Sequence, residues 1–321
     1  MNIFCDTRLS EIAAQLLRSG IESNNLLAPS SPAASVLAKS EPDPAFPMAE
    51  IAFGQPDLAS VEQSKRLRWI HLTSAGYTRY DTPAFRALAA ERGLVVTNSS
   101  SVYAEACAEH VFAFMMAQSR RLPEALASRA ANGTPEWFQL RTAGTSLRGQ
   151  HAVILGFGAI GTQLVKLLAP FEMKVIAMRR QARGDEGVPV VPPDHLADAL
   201  AVTDHIINIL PENAASRHFI NEPRLTSAKR SAVFYNIGRG TTVDQNALVA
   251  ALESGHLAAA WLDVTDPEPL PPDHPLLSAR NCFITPHTAG GHKHESETLV
   301  RHFLENFRRF HAGEPLRDRI L

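Results

Sequence analysis

Cysteine is scarce in this chain: three in 321 residues, at positions 5, 107 and 282. An odd, scattered set does not make a disulfide framework, so reduced thiols and a cytoplasmic location are expected. Long apolar runs are also missing. The longest, around residues 111–117, falls far short of the ~20 residues that span a bilayer, which excludes a membrane helix as the reading. The first residues, Met-Asn-Ile-Phe-Cys-Asp, lack the basic start and apolar core of a signal peptide, and none is expected. No charge sign dominates either: 31 Lys and Arg against 33 Asp and Glu leave a net −2. Nothing therefore points to nucleic acid or an anionic membrane as a partner. There are no internal repeats or low-complexity tracts. With 45% hydrophobic and 20% charged residues the composition is that of a globular protein, and 321 residues exceed most single cores, so two domains are expected.

What is present is clearest at residues 151–161, His-Ala-Val-Ile-Leu-Gly-Phe-Gly-Ala-Ile-Gly. An apolar strand runs into a G-x-G-x-x-G turn, and residues 162–168 continue with apolar positions at helical spacing. In that context the motif means dinucleotide binding. Gly156 permits the tight turn, Gly158 keeps side chains off a pyrophosphate, and Gly161 lets the helix pack close to the strand. The free N–H groups of the helix start then face the phosphates. Residues 174–178 read as the next strand. Where an NAD enzyme usually has an acidic residue for the ribose hydroxyls, this chain has Arg179 and Arg180, with Arg183 close behind. Guanidinium groups cannot accept from a hydroxyl but suit a ribose 2′-phosphate, so NADP(H) is the expected cofactor and NAD(H) the alternative.

Along the chain, helices are expected at 11–18 and 83–92 and strands at 49–53, 67–72 and 94–97, with 29–47 as a Pro- and Ser-rich loop. This is a small α/β unit with parallel strands. A long apolar helix follows at 101–117, then a looser stretch with a turn at 132–135. The cofactor unit continues with strands at 205–210, 231–236, 258–263 and 281–285 and a helix at 244–253. A last helix is expected from about 296 to 311. The glycine motif comes late, so the dinucleotide domain does not begin the chain. The expected course crosses between domains twice, with the last helix returning to the first.

Chemistry-bearing residues cluster after strands of the cofactor unit. Arg239 lies between two glycines in Asn236-Ile-Gly-Arg-Gly, free to offer its fork to a carboxylate. Glu268 sits between prolines in Asp-Pro-Glu-Pro, poorly suited to a helix and cheaply held in one pose. His287 follows a strand and Pro286. Ligand sites of open α/β sheets lie at the carboxyl ends of strands, where all three fall. A metal site at His287, His292 and His294 is disfavoured, because no Cys or Asp joins them at ligand spacing; no metal is expected.

Taken in order, Gly-Phe-Gly-Ala-Ile-Gly, Asn-Ile-Gly-Arg-Gly-Thr-Thr-Val-Asp, Leu-Asp-Val with Pro-Glu-Pro-Leu-Pro, and Thr-Pro-His-Thr-Ala-Gly resemble the D-isomer-specific 2-hydroxyacid dehydrogenase family. The likeness spans most of the chain and is densest from about 97 to 290. It implies a two-domain α/β protein: a flavodoxin-like substrate domain, residues 1–98 and 290–321, and an inserted Rossmann domain, residues 99–289. It further implies a homodimer paired through the cofactor domain and an arm like residues 120–148. By the same resemblance Arg239 binds the substrate carboxylate, His287 is the general acid in reduction, and Glu268 orients it and favours imidazolium. Ser74, Ala75 and Gly76 look like the substrate-domain loop that also holds the carboxylate. Asp263 falls where the family contacts the nicotinamide carboxamide, Ile237 lies in the Arg239 motif beside the cofactor, and Leu210, Pro211 and Ser216 match the segment along the adenosine and phosphates. Glu-Asn at 212 and 213 departs from the apolar-Thr pair common in the family, which unsettles the phosphate contacts. The two arginines resemble the glyoxylate and hydroxypyruvate reductase branch, so the expected reaction is reduction of a small 2-keto acid to the D-2-hydroxy acid. Tyr77 and Tyr80 are expected to crowd the pocket toward small substrates. The same family includes transcriptional corepressors, so a cofactor-sensing binding protein without turnover is the alternative.

Overall fold

The computed structural model describes every residue except 32, 34, 36, 37, 39 and 40; the loop expected at 29–47 lies partly outside the described residues. The chain folds into two compact units, residues 1–103 with 291–321 and residues 104–290, and the boundary falls inside the helix Ser100–Ser119.

Among the described residues the first unit carries five strands: β1 (Asn2–Cys5), β2 (Asn25–Leu27), β3 (Ile51–Gly54), β4 (Trp69–Leu72) and β5 (Val95–Thr97). They pair in parallel in the order β2-β1-β3-β4-β5. That is the doubly wound order of flavodoxin-like sheets, in which crossover helices cover both faces. β3 and β4 are buried along their whole length, and a strand covered on both faces reads as a continuous apolar run rather than an alternating one. The crossover helices begin and end as their sequences dictate. Thr82 caps Pro83–Arg92, its side chain accepting from the Phe85 N–H, Pro83 occupies the first turn, and Gly93 stops the helix at φ 63°. The last helix, Glu295–Ala312, belongs to this unit because its apolar stripe is buried there. Phe303 stacks on Phe53 at 4.5 Å and on Trp69 at 5.2 Å.

The second unit has seven parallel strands: β6 (His151–Leu155), β7 (Lys174–Met178), β8 (Val190–Val191), β9 (His205–Asn208), β10 (Val233–Asn236), β11 (Ala259–Leu262) and β12 (Cys282–Ile284). Their order is β12-β11-β10-β9-β6-β7-β8, the Rossmann arrangement, with the strand order reversing between β6 and β9. A crevice opens at such a reversal, outside the carboxyl ends of the two strands. β6 and β9 are in register from Ala152 opposite His205 to Leu155 opposite Asn208, so the loops after Leu155 and Asn208 leave the sheet at the same level. Three further strands, β10, β11 and β12, bring Asn236, Leu262 and Ile284 into line.

Candidate active site

The glycine turn is built at the reversal point. Gly156 adopts φ 86°, and a Cβ there would lie 3.3 Å from the Ile209 carbonyl. The helix Ala159–Leu168 starts from Gly158, which offers no side chain to cap its first N–H groups. A Cβ at Gly158 would meet nothing within 4 Å, so the space beside these N–H groups is open, whereas one at Gly161 would press on the Phe157 ring at 3.0 Å. Uncapped N–H groups beside open space suit an anion. The segment from Gly156 through Phe157, Gly158, Ala159 and Ile160 to Gly161 therefore fits a dinucleotide pyrophosphate. Across the reversal, Leu210 is half-buried and Pro211 exposed. Ser216 is engaged within its own turn: its hydroxyl donates to the Pro211 carbonyl at 2.5 Å and accepts from the Asn213 N–H at 2.9 Å. These bonds fix the turn.

The two arginines after β7 have different surroundings. Arg180 is exposed and makes no ion pair among the described residues. Arg179 is committed, its Nη1 lying 2.7 Å from Oε1 of the enclosed Glu186. Arg179 thus has a carboxylate partner within its own loop, and Glu186, seven residues on, had no motif to announce it.

The loop after β10 is squeezed between two others, which explains its glycines. A Cβ at Gly238 would lie 2.8 Å from the Leu210 carbonyl, and one at Gly240 would collide with the Thr265 backbone. Beneath it, Asn208 donates to Asn236 Oδ1 (2.9 Å) and Thr242 Oγ1 (2.7 Å), while Asn236 Nδ2 and Thr242 Oγ1 both bond the Arg239 carbonyl. The three side chains are fully buried, and a satisfied buried polar network is rigid. Ile237 is buried, with its N–H on the Asn208 carbonyl. The Arg239 guanidinium is half-exposed, bonded only to the Gly238 carbonyl, and meets no carboxylate among the described residues.

His287 and Glu268 meet: Nδ1 lies 2.8 Å from Oε1, with both side chains about a third exposed, at 34% and 39%. A carboxylate at Nδ1 leaves Nε2 as the ring atom available for proton transfer. His287 has φ 52°, unusual for a residue with a Cβ, and Asp263 holds it there. The Asp263 carbonyl accepts from the His287 N–H, and its carboxylate accepts from Thr285 Oγ1 (2.5 Å), the Thr288 N–H (2.8 Å) and the Ala289 N–H (2.9 Å). At 2% exposure Asp263 anchors the histidine turn. His110 extends the chain, 3.2 Å from Thr285 Oγ1, with burial lowering its pKa and Asp263 opposing that. The sequence reading placed Asp263 at the nicotinamide rather than under the histidine turn, and it did not single out His110. Burial pushes the nearby Cys107 thiol up to about 12, so it is no nucleophile at neutral pH.

In the first unit, the carbonyls of the loop after β4 are all engaged. Tyr103 OH donates to Thr73 O, the Ser99 N–H to Ser74 O, Asn98 Nδ2 to Ala75 O, and Ser74 Oγ to Gly76 O. The N–H groups of Ser74, Ala75 and Gly76 donate to no acceptor among the described residues. Successive free N–H groups form a nest suited to an anion. Gln55, Asn98 and Tyr103, which the sequence did not single out, hold that geometry, Gln55 by donating to Thr73 and Ser74. One expectation here is overturned. Tyr80 is fully buried with its OH on the Pro56 carbonyl, so it is part of the core; Tyr77 packs partly against that core.

Comparison with known proteins follows the same lines. A model of the family described as "D-isomer specific 2-hydroxyacid dehydrogenase, NAD binding domain" matches residues 112–289. A glyoxylate reductase of Korarchaeum cryptofilum is 33% identical over 263 residues, covering 80% of this chain and 77% of its own. The human glyoxylate reductase/hydroxypyruvate reductase is 33% identical over 228 residues, 70% of each chain. Among solved structures, a D-isomer specific 2-hydroxyacid dehydrogenase from Xanthobacter autotrophicus Py2, in complex with NADPH and MES, superposes with a TM-score of 0.78 at 25% identity, over 100% of this chain and 97% of that one.

Proposed function

The chain belongs to the D-isomer specific 2-hydroxyacid dehydrogenase family, and on that premise we propose that it reduces a small 2-keto acid of the glyoxylate or hydroxypyruvate kind to the D-2-hydroxy acid, with NADPH preferred over NADH. It is an NAD(P)-dependent oxidoreductase of the glyoxylate and hydroxypyruvate reductase branch. The observation that carries the proposal is the pair His287–Glu268 at 2.8 Å, on the sheet edge that also carries Arg239. A cofactor sensor has no need of an oriented imidazole, so the pair favours turnover.

When bound, the reduced nicotinamide supplies the hydride. The chain's own residues do the rest. His287 holds the proton for the new hydroxyl at Nε2, and Glu268 keeps Nδ1 engaged. Arg239 presents a planar fork to the substrate carboxylate from a loop that the Asn208–Asn236–Thr242 network fixes. The N–H groups of Ser74, Ala75 and Gly76 are proposed as a substrate-binding anion site of the first unit. Residues 1–98 with 290–321 are proposed as the substrate domain and 99–289 as the cofactor domain. The preference for NADPH rests on the exposed Arg180 and the absence of an acidic residue at the end of β7. Cytoplasmic residence is part of the same proposal, supported by three free cysteines.

The test is a steady-state rate comparison with glyoxylate, hydroxypyruvate, pyruvate and phenylpyruvate, each with NADPH and NADH. The expected result is the highest kcat/KM for glyoxylate or hydroxypyruvate with NADPH. A clear preference for phenylpyruvate would overturn the substrate class, and equal use of the two cofactors would overturn the cofactor preference.

A further inference from the structure

The residue with the most unusual setting outside the reacting centre is Glu186, in the loop between β7 and β8. It is 6% exposed although its neighbours on both sides are exposed. Its Oε1 accepts from Arg179 Nη1 and from the Arg183 N–H, both at 2.7 Å, and Oε2 accepts from the Gly184 N–H at 2.9 Å. A guanidinium and two backbone N–H groups around one anion is how loops hold phosphate; here the loop has filled that cradle with its own carboxylate. The Arg183 N–H, foremost among these donors, holds Glu186 at about 2, against an ordinary 4.5, so it stays charged throughout the working pH range.

We propose that Glu186 is the positioning residue for cofactor selectivity, committing Arg179 to the fold of its own loop and leaving Arg180 and Arg183 to read the 2′-phosphate. The selectivity half rests on the NADPH reading above; the anchoring half stands without it. For a phosphate to use Arg179 as its main contact it would have to displace an anion already held by three bonds. Arg180 and Arg183 need no such exchange, because their side chains are exposed and unpaired among the described residues. Their backbone is what Glu186 fixes: Arg180 directly follows Arg179, and the Arg183 N–H is itself a ligand of the carboxylate. Without the anchor the same charges remain but on an unordered loop, and binding would have to order them first.

Two measurements separate the halves. Hydrogen exchange on the ligand-free protein reads the anchor. The amides of Arg183 and Gly184 should be protected in the parent and exchange about tenfold faster or more in Glu186→Gln; unchanged exchange overturns the proposal. Direct titration with NADPH, NADH and adenosine 2′,5′-bisphosphate reads selectivity. Arg180→Ala should weaken NADPH about tenfold and leave NADH nearly unchanged. Glu186→Gln should weaken NADPH more than NADH, and adding Arg179→Ala to it should cost nothing further. Asp185→Asn removes the same charge from the exposed neighbour and should not weaken NADPH. If Glu186→Gln instead tightens NADPH, as loss of a competing anion would, the assignment is wrong. If the parent binds NADH as tightly as NADPH and ignores the bisphosphate, the cofactor reading and the selectivity half fall together, and exchange alone decides the anchor.

Discussion

A histidine can act as a proton donor only if one ring nitrogen is held and the other is left for the substrate, and His287 meets both conditions. Replacing it with Ala removes the donor while the glycine turn stays intact. The expected result is a kcat lower by ~10²–10⁴ with cofactor binding unchanged, read by rates alongside direct titration. Glu268→Gln keeps an oxygen that can accept from Nδ1, whereas Glu268→Ala leaves that nitrogen unheld. Glu268→Ala should therefore lower kcat more than Glu268→Gln does, with cofactor binding unchanged in both. A kcat left in place in both would mean that Glu268 is merely a turn residue between prolines. Arg239→Lys keeps a positive charge and loses the planar fork; KM for the keto acid should rise strongly and kcat fall with it. A change confined to KM would mean that Arg239 binds the ground state and the transition state equally.

At the scale of elements, the structure shows what makes such residues dependable, and much of that was invisible in the sequence. Arg239, Glu268 and His287 were legible because strand ends of an α/β sheet are where chemistry collects, and the helix Pro83–Arg92 was legible to the residue because Thr82, Pro83 and Gly93 mark it. The short strand Asn2–Cys5 and the helices Leu58–Gln63, Leu196–Val202 and Glu222–Ser227 were not. Each is seven residues or fewer, too short for a period to emerge, and tertiary packing decides it. Supports such as Asn208 under Arg239, or Asp263 under His287, draw their meaning from partners 22 to 34 residues away. No local pattern encodes that distance. The tyrosines show the reverse error: Tyr80 sits beside the 73–76 loop in sequence, yet its side chain points into the core. Asp263 yields a sharp prediction at this scale. The resemblance assigns it to the nicotinamide, whereas its carboxylate oxygens serve the 285–289 turn. Asp263→Asn would set an amide against two N–H donors and loosen that turn. A loss of order 10²-fold in kcat is expected from the misplaced histidine, with the cofactor's Kd within about threefold. A large rise in Kd with kcat preserved would return Asp263 to the nicotinamide.

For the whole molecule, two features go beyond the single site. The helices Leu122–Ala127 and Pro135–Ala143 bury no residue at all, yet they carry Leu126 at 75% and Phe138 at 54% exposure. Apolar side chains on unburied helices mark a surface for association, and we propose a second copy of this chain as the occupant. Sedimentation should give a dimer for the parent and a monomer for the pair Leu126→Asp with Phe138→Asp; a monomeric parent would refute it.

The second feature is how stability depends on pH. His205 is enclosed between Gln150 Oε1 at 2.6 Å and Tyr235 OH at 3.0 Å. Burial brings its pKa down from 6.5 to about 4, with Asp204 opposing and Lys229 reinforcing the shift. The neutral ring satisfies both neighbours, donating to Gln150 and accepting from Tyr235, whereas a second proton would face the Tyr235 hydroxyl. Between pH 6.5 and 4 the unfolded chain therefore binds a proton at this site that the folded one refuses. Stability supplied by the site is complete above about 6.5 and drains away as the pH falls toward 4. His71, fully buried and also lowered by desolvation, adds to the slope in the same direction. Glu186, held at about 2, contributes only lower down, as the pH falls below 4.5. The thermal midpoint should therefore fall as the pH drops below about 6.5. His205→Gln cannot titrate and should lose less than the parent between pH 6.5 and 4. If parent and variant fell in parallel between pH 6.5 and 4, the buried imidazole would not be the group that sets the acid limit.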